Sequence, residues 1–198
     1  MAVSIENIRK LKELTGVGLT DAKAALVEVD GDFDKALEAM RKKGLTKAEK
    51  KSDRETREGI IDSYVHSGRI GVVVEVNCET DFVARLDDFK KMAHEIAMQI
   101  AAMNPKYVTE ADISAEEMNR VKQEAEDRVK AEGKPAEIAA KIVEGQVKKH
   151  FAEQVLMSQA FILEDGKTVE QYVKENIAKL GENIVIRQFK RIELGVNE

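Results

Sequence analysis

The 198-residue chain has no tryptophan, one cysteine and two prolines, and aromatic residues make up only 5% of it. A lone cysteine, Cys78, rules out an intrachain disulfide framework and suits a reducing compartment. So little proline, Pro105 and Pro135 alone, points to a helix-rich chain with little irregular structure. No run of about 18 apolar residues occurs, so no segment reads as a membrane-spanning helix. The opening Met1-Ala2-Val3-Ser4-Ile5-Glu6 lacks the charged-then-apolar layout of a secretory signal. Basic charge is not in surplus either. Lys and Arg number 32 against 37 Asp and Glu, a formal net charge of −5, which argues against a general nucleic-acid surface. The expectation is a cytoplasmic protein, or one of an organelle matrix after removal of a targeting segment, with no membrane or direct nucleic-acid partner.

Marks of catalysis are missing too. His94-Glu95 begins like a metalloprotease helix, but that motif needs a second histidine four residues after the first, and position 98 is Met98. Gly16-Val17-Gly18 follows a helical pattern rather than a strand and lacks the third glycine of a dinucleotide fingerprint. No P-loop is present, since the triplet Gly166-Lys167-Thr168 has Phe161 where the motif needs its first glycine. Cys78 comes with no signature of a base, and His66 and His150 fall in elements other than that of His94. The chain therefore reads as a non-enzyme, with no metal or cofactor implied.

What is present is 43% apolar and 35% charged residues, enough for a real core beneath a charged surface. The first forty-odd residues read as three short helices. Ser4 caps the first, with Ile5, Ile8, Leu11 and Leu14 at three-residue steps. Thr20 caps the second, through Ala22, Ala25, Leu26 and Val29. Asp32 caps the third, with Phe33, Ala36, Leu37 and Met40 on one face and Gly44 as terminator. Helices this short bury their stripes against one another, which predicts a compact three-helix module over residues 1–44. Residues 42–58 carry mixed, mostly basic charge and read as a solvated linker, partly helical, of which 45–58 separates the module from a second domain.

That second domain is expected over residues 59–198. Ile60 to His66 and Ile70 to Val76 are β-rich runs split by Ser67-Gly68-Arg69, a hairpin. Leu86, Phe89, Met92, Ala93, Ile96, Ile100 and Met103 mark one face of a long helix that ends near Asn104-Pro105. A charged, thinly apolar helix comes next, opened by Ser114 with Glu117 and expected to project or lie on the surface. Pro135 opens another and Thr168 caps one more. Residues 184–194 close the chain as a strand able to join the hairpin in a small antiparallel sheet. The fold class is α+β.

One segment stands apart. Thr80-Asp81-Phe82-Val83 puts a large aromatic beside acidic and small polar residues where the hairpin feeds a helix. Either Thr80 or Asp81 caps that helix while Phe82 packs inward, or Phe82 protrudes as an anchor for a partner's pocket. Spacing alone favours the packed ring and does not separate the two.

Read whole, Glu75-Val76-Asn77-Cys78-Glu79-Thr80-Asp81-Phe82-Val83-Ala84 resembles the signature of the elongation factor Ts family. The likeness is collinear over the chain. Leu14-Thr15-Gly16-Val17-Gly18, then Asp21 to Leu26, Gly31-Asp32 and Ala36-Leu37, resemble its N-terminal module, which is similar to ubiquitin-associated domains. Gly133-Lys134-Pro135, Ile138-Ala139, Lys141 to Gly145 and Leu163 to Val173 resemble later core segments. The resemblance implies a partner, the GTPase elongation factor Tu, whose Mg²⁺ and phosphate site Asp81 and Phe82 would disturb while Thr80 and Val83 shape the tip. It implies that Leu14, Thr15, Gly16, Val17, Gly18 and Leu19 contact the GTPase near its base-binding side. Longer family members carry a second, related half of the core and an inserted helical hairpin. This chain, with one copy of the core, resembles the short form that works as a homodimer, and residues 184–194 are the candidate dimer surface. The rival reading is a ubiquitin-associated-type adaptor whose three-helix module is tethered to an unrelated interaction core.

Overall fold

The structure, a computed structural model, describes residues 3–15, 17–131 and 136–196. Three helices lead: α1 (Ile5–Thr15), α2 (Leu19–Glu28) and α3 (Phe33–Glu49). They close on a small cluster of Leu11, Ala22, Ala25, Leu26, Ala36 and Met40. Ser4 Oγ accepts the Glu6 amide and Asp32 Oδ1 accepts the Lys35 amide, so both caps form as the sequence suggests. In α1 only Leu11 is fully buried, while Ile5 and Leu14 are exposed. The cause is helical pitch. At about 100° per residue, three-residue steps drift by about 60°, which leaves the ends of this row roughly half a turn apart.

Two local expectations fail here. Helix α2 begins at Leu19 with Gly18 as its N-cap, so Thr20 lies inside the first turn and caps nothing. Helix α3 runs through Gly44 to Glu49, and Gly44 terminates nothing. A Cβ at Gly44 would stand 3.3 Å from that of Ala178, so the glycine lets two helices approach closely. The helix it meets is α8 (Val169–Leu180). Arg41 pairs with Glu175 of that helix at 3.4 Å and with Glu164 ahead of it at 3.0 Å, and Lys174 reaches Glu49 at 3.6 Å. Lys51 donates to the Gly181 carbonyl. Of the charge expected in the linker, Glu49 and Lys51 thus reach Lys174 and the end of α8, while most of the rest is exposed.

The hairpin is β1 (Glu58–His66) and β2 (Ile70–Cys78), turned through Ser67 and Gly68 in left-handed backbone. β3 (Ile184–Glu193) pairs antiparallel with β2, giving the order β1-β2-β3. One face is buried. Val72, Val74, Val76 and Cys78 project from it onto α5 (Asp87–Met103), which contributes Phe89, Met92, Ala93, Ile96 and Ile100, and onto α8. Helix α5 ends at Asn104 in left-handed backbone, and Thr168 opens α8 with a full capping box to Gln171.

The other sheet face carries Ile61, Val65, Val73, Val185 and Ile192, all exposed. Val65 and Ile192 flank Gly71 in the ladder, so two apolar side chains border a gap without one. Helices α6 (Ala115–Ala131) and α7 (Ala136–Ala152) form a hairpin beside the core. Ser114 Oγ accepts the Glu117 amide at 3.1 Å. Helix α6 buries Val121, Ala125 and Val129, chiefly against Val143 and Phe151 of α7, so even this charged helix has an apolar seam. Pro135 lies outside the described residues. No helix among the described residues is long and apolar enough to cross a membrane.

Candidate functional site

The segment after β2 is built by a change of direction. The ladder's last pairing is Cys78 with Ile184, after which β2 turns into the short helix α4 (Asp81–Ala84). Thr80 is the N-cap residue, yet its side chain caps nothing. The hydroxyl donates instead to Glu182 at 2.6 Å, across the molecule from the segment between α8 and β3. Glu182 also accepts the amides of Glu79 and Thr80, at 3.1 and 3.0 Å. In return Glu79 accepts the Asn183 amide at 2.6 Å and pairs with Arg54 at 3.3 Å. Asn183, itself buried, donates its side-chain amide to the carbonyls of Ser52 and Arg54. The segment after α3, the segment after α8 and the exit of β2 are thus knotted at one point.

Neighbouring side chains then diverge. Val83 and Ala84 enter the core, whereas Phe82 is 77% exposed. The packed alternative for Phe82 is therefore not what the chain adopts. Asp81 faces outward with it and pairs with Arg85 at 2.7 Å, an exposed contact worth little in water. The tip offers an aromatic ring and a lightly held carboxylate on a rigid mount.

The N-terminal turn offers a second surface. Leu14 and Leu19 are exposed, Gly18 is exposed between the helices, and Val17 packs partly against the module's cluster. Thr15 donates its hydroxyl back to the Leu11 carbonyl at 2.6 Å, which closes α1. Gly16 lies outside the described residues.

No catalytic centre assembles from the remaining candidates. Cys78 is buried, donates to the Thr80 carbonyl, and its thiol is pushed up to about 11 by burial, reinforced by the Glu182 carboxylate. His94 pairs with Asp62 at 2.9 Å and sits edge-on to Tyr64, whose hydroxyl meets His66 at 3.0 Å. Sequence reading missed this meeting of two histidines on one tyrosine. Asp62 lies opposite Val74, four residues from Cys78, or about 13 Å along the strand, so the acid–histidine pair and the thiol do not meet. Among the described residues, no group of three or more His, Cys, Asp and Glu is arranged to hold a metal.

Comparison with known proteins fits this geometry. Residues 45–196 match the family model for elongation factor TS. The chain belongs to the elongation factor Ts family. It is similar to the elongation factor Ts of Syntrophomonas wolfei, 50% identical over 98% of this chain and 91% of that one. That of Thermotoga petrophila is 49% identical over 98% of each chain. That of Herpetosiphon aurantiacus is 46% identical over the whole of both. The match spans the α+β core, so an adaptor with an unrelated core is not favoured.

Proposed function

We propose that this chain is a guanine-nucleotide exchange factor for elongation factor Tu and releases GDP by inserting Asp81 and Phe82 beside the groups that hold Mg²⁺ and phosphate. The observation that carries the reading is the outward ring of Phe82 between a fixed Thr80 and a buried Val83. A large apolar group held in water on a rigid mount suits burial in a partner's pocket, where such anchors carry most of the binding energy. Asp81 would compete for cationic or hydrogen-bonding groups around the nucleotide, and Leu14 and Leu19 would give the module a separate grip.

Linkage supplies the mechanism. If the factor weakens nucleotide binding by some ratio, nucleotide weakens factor binding by the same ratio. Exchange then speeds in both directions, and the prevailing nucleotide pool decides which one ends up bound. No covalent bond is made or broken, so a wedge and a carboxylate suffice without a catalytic group. The expected result is that the chain at micromolar concentration accelerates release of fluorescent GDP from elongation factor Tu. Release no faster than the intrinsic rate would refute the reading.

The uncovered sheet face supports a homodimer in the same proposal. A second copy seated on Val65, Val73 and Ile192 would remove an apolar surface that an isolated chain leaves in water. The compared relatives are matched over at least 91% of their length, in keeping with the short form of the family. Light scattering should return twice the chain mass of 22.1 kDa, and Ile192→Glu should bring it down to one chain. A wild-type mass of one chain at high concentration would rule the dimer out.

A further inference from the structure

We infer that Glu182 is a positioning residue for the Asp81–Phe82 tip, a role that rests on the exchange reading above. Strand pairing accounts for the backbone of β2 only as far as Cys78. Beyond it the chain must turn toward α4, and two successive amides, those of Glu79 and Thr80, lose their strand partner. Both amides are part-buried and bonded to one oxygen of the Glu182 carboxylate, at 3.1 and 3.0 Å. The other oxygen takes the Thr80 hydroxyl at 2.6 Å. Three bonds to one charged acceptor fix the backbone two residues before Phe82. All three go to a carboxylate, the charge-assisted kind that is stronger than a neutral bond, and the hydroxyl bond is the short one.

Glu182 is itself held. It lies between Gly181, the left-handed C-cap of α8, and Asn183, which is buried and donates its amide to Glu79. Each of the two crossing segments thus supplies a carboxylate to the other's backbone. On the far side of Phe82, Val83 and Ala84 are anchored in the core. The ring is therefore mounted between a polar clamp and an apolar one, and only the polar clamp depends on Glu182. Hydrogen-bond positioning of this sort acts on the rate of a bound complex more than on its formation, because a loosened tip must be ordered anew in each exchange event.

The experiment is stopped-flow release of fluorescent GDP from elongation factor Tu, titrated to saturation with the full chain carrying Glu182→Ala, Glu182→Gln or Phe82→Ala. Amide exchange at Thr80 is measured in the free proteins. Glu182→Ala is expected to lower the saturating rate by roughly 10- to 100-fold. The half-saturating concentration should stay within about twofold, since docking surfaces elsewhere are intact. Thr80 amide exchange should accelerate while that of Val74 in the ladder does not. Glu182→Gln should recover most of the rate: its carbonyl can accept both amides and its NH₂ can donate to the Thr80 hydroxyl.

An unchanged saturating rate for Glu182→Ala would overturn the inference. So would a raised half-saturating concentration at full rate, which would make Glu182 a docking contact, or a Glu182→Gln rate as low as that of alanine. If Glu182→Ala fails to fold, Thr80→Val removes one of the three bonds and should lower the saturating rate several-fold. A full rate for that variant would also overturn the inference. Failure of the wild type to stimulate release refutes the exchange reading itself. Stimulation that is lost with Phe82→Ala but kept with Glu182→Ala refutes only the role of Glu182.

Discussion

Phe82→Ala is expected to abolish most of the stimulated GDP release and to leave the folded chain as stable as before. The two halves of this result have separate causes. The ring is 77% exposed, so removing it deletes little intramolecular contact. Surface substitutions of that kind change stability by about 0.5 kcal/mol or less. At the partner the same ring would become buried, and a central aromatic anchor commonly contributes about 2 kcal/mol or more, roughly thirtyfold in rate or affinity. Thermal unfolding and GDP release measured on one preparation check both halves. A lowered midpoint with normal release would make the tip a structural element and remove the central claim.

Phe89→Ala should do the reverse. Phe89 is wholly buried in α5, within the cluster formed with the inward face of the sheet. Truncating a buried phenylalanine costs about 3–5 kcal/mol, the lost transfer free energy together with that of the cavity left behind. For a chain of this size that corresponds to a fall of roughly 6–20 °C in the midpoint. Calorimetry checks the fall, and release assayed well below the new midpoint should be close to that of the wild type. A shift worth less than about 1 kcal/mol would mean the core collapses around the gap, outside the usual range for such sites.

The hairpin, the long apolar face of α5, the Thr168 cap and the closing strand were all legible in the sequence. Each is a local pattern: alternation in a strand, helical recurrence of apolar residues, or a side chain meeting an amide three residues on. The misses share the opposite property. Gly44 looked like a stop signal because the surface of α8 against which it packs was not visible. Thr80 looked like a cap because its actual partner, Glu182, lies 102 residues away. Glu182 carried no signal at all, being one carboxylate among many until the two crossing segments met.

The dipeptide aspartate-phenylalanine shows where the boundary falls. It occurs three times, as Asp32-Phe33, Asp81-Phe82 and Asp88-Phe89, each time at the start of a helix. By itself the sequence placed these pairs at or near helix starts in a chain without catalytic signatures, and family likeness pointed to Asp81-Phe82. Only the tertiary structure decided that the ring of Phe82 faces water and that of Phe89 the core. Helix α4 lasts four residues and is pinned through Val83 and Ala84, which turns Phe82 outward. Helix α5 lies along the sheet, which turns Phe89 in. The direction of a side chain is set by what covers its helix, and the covering surface comes from strands and helices elsewhere in the chain.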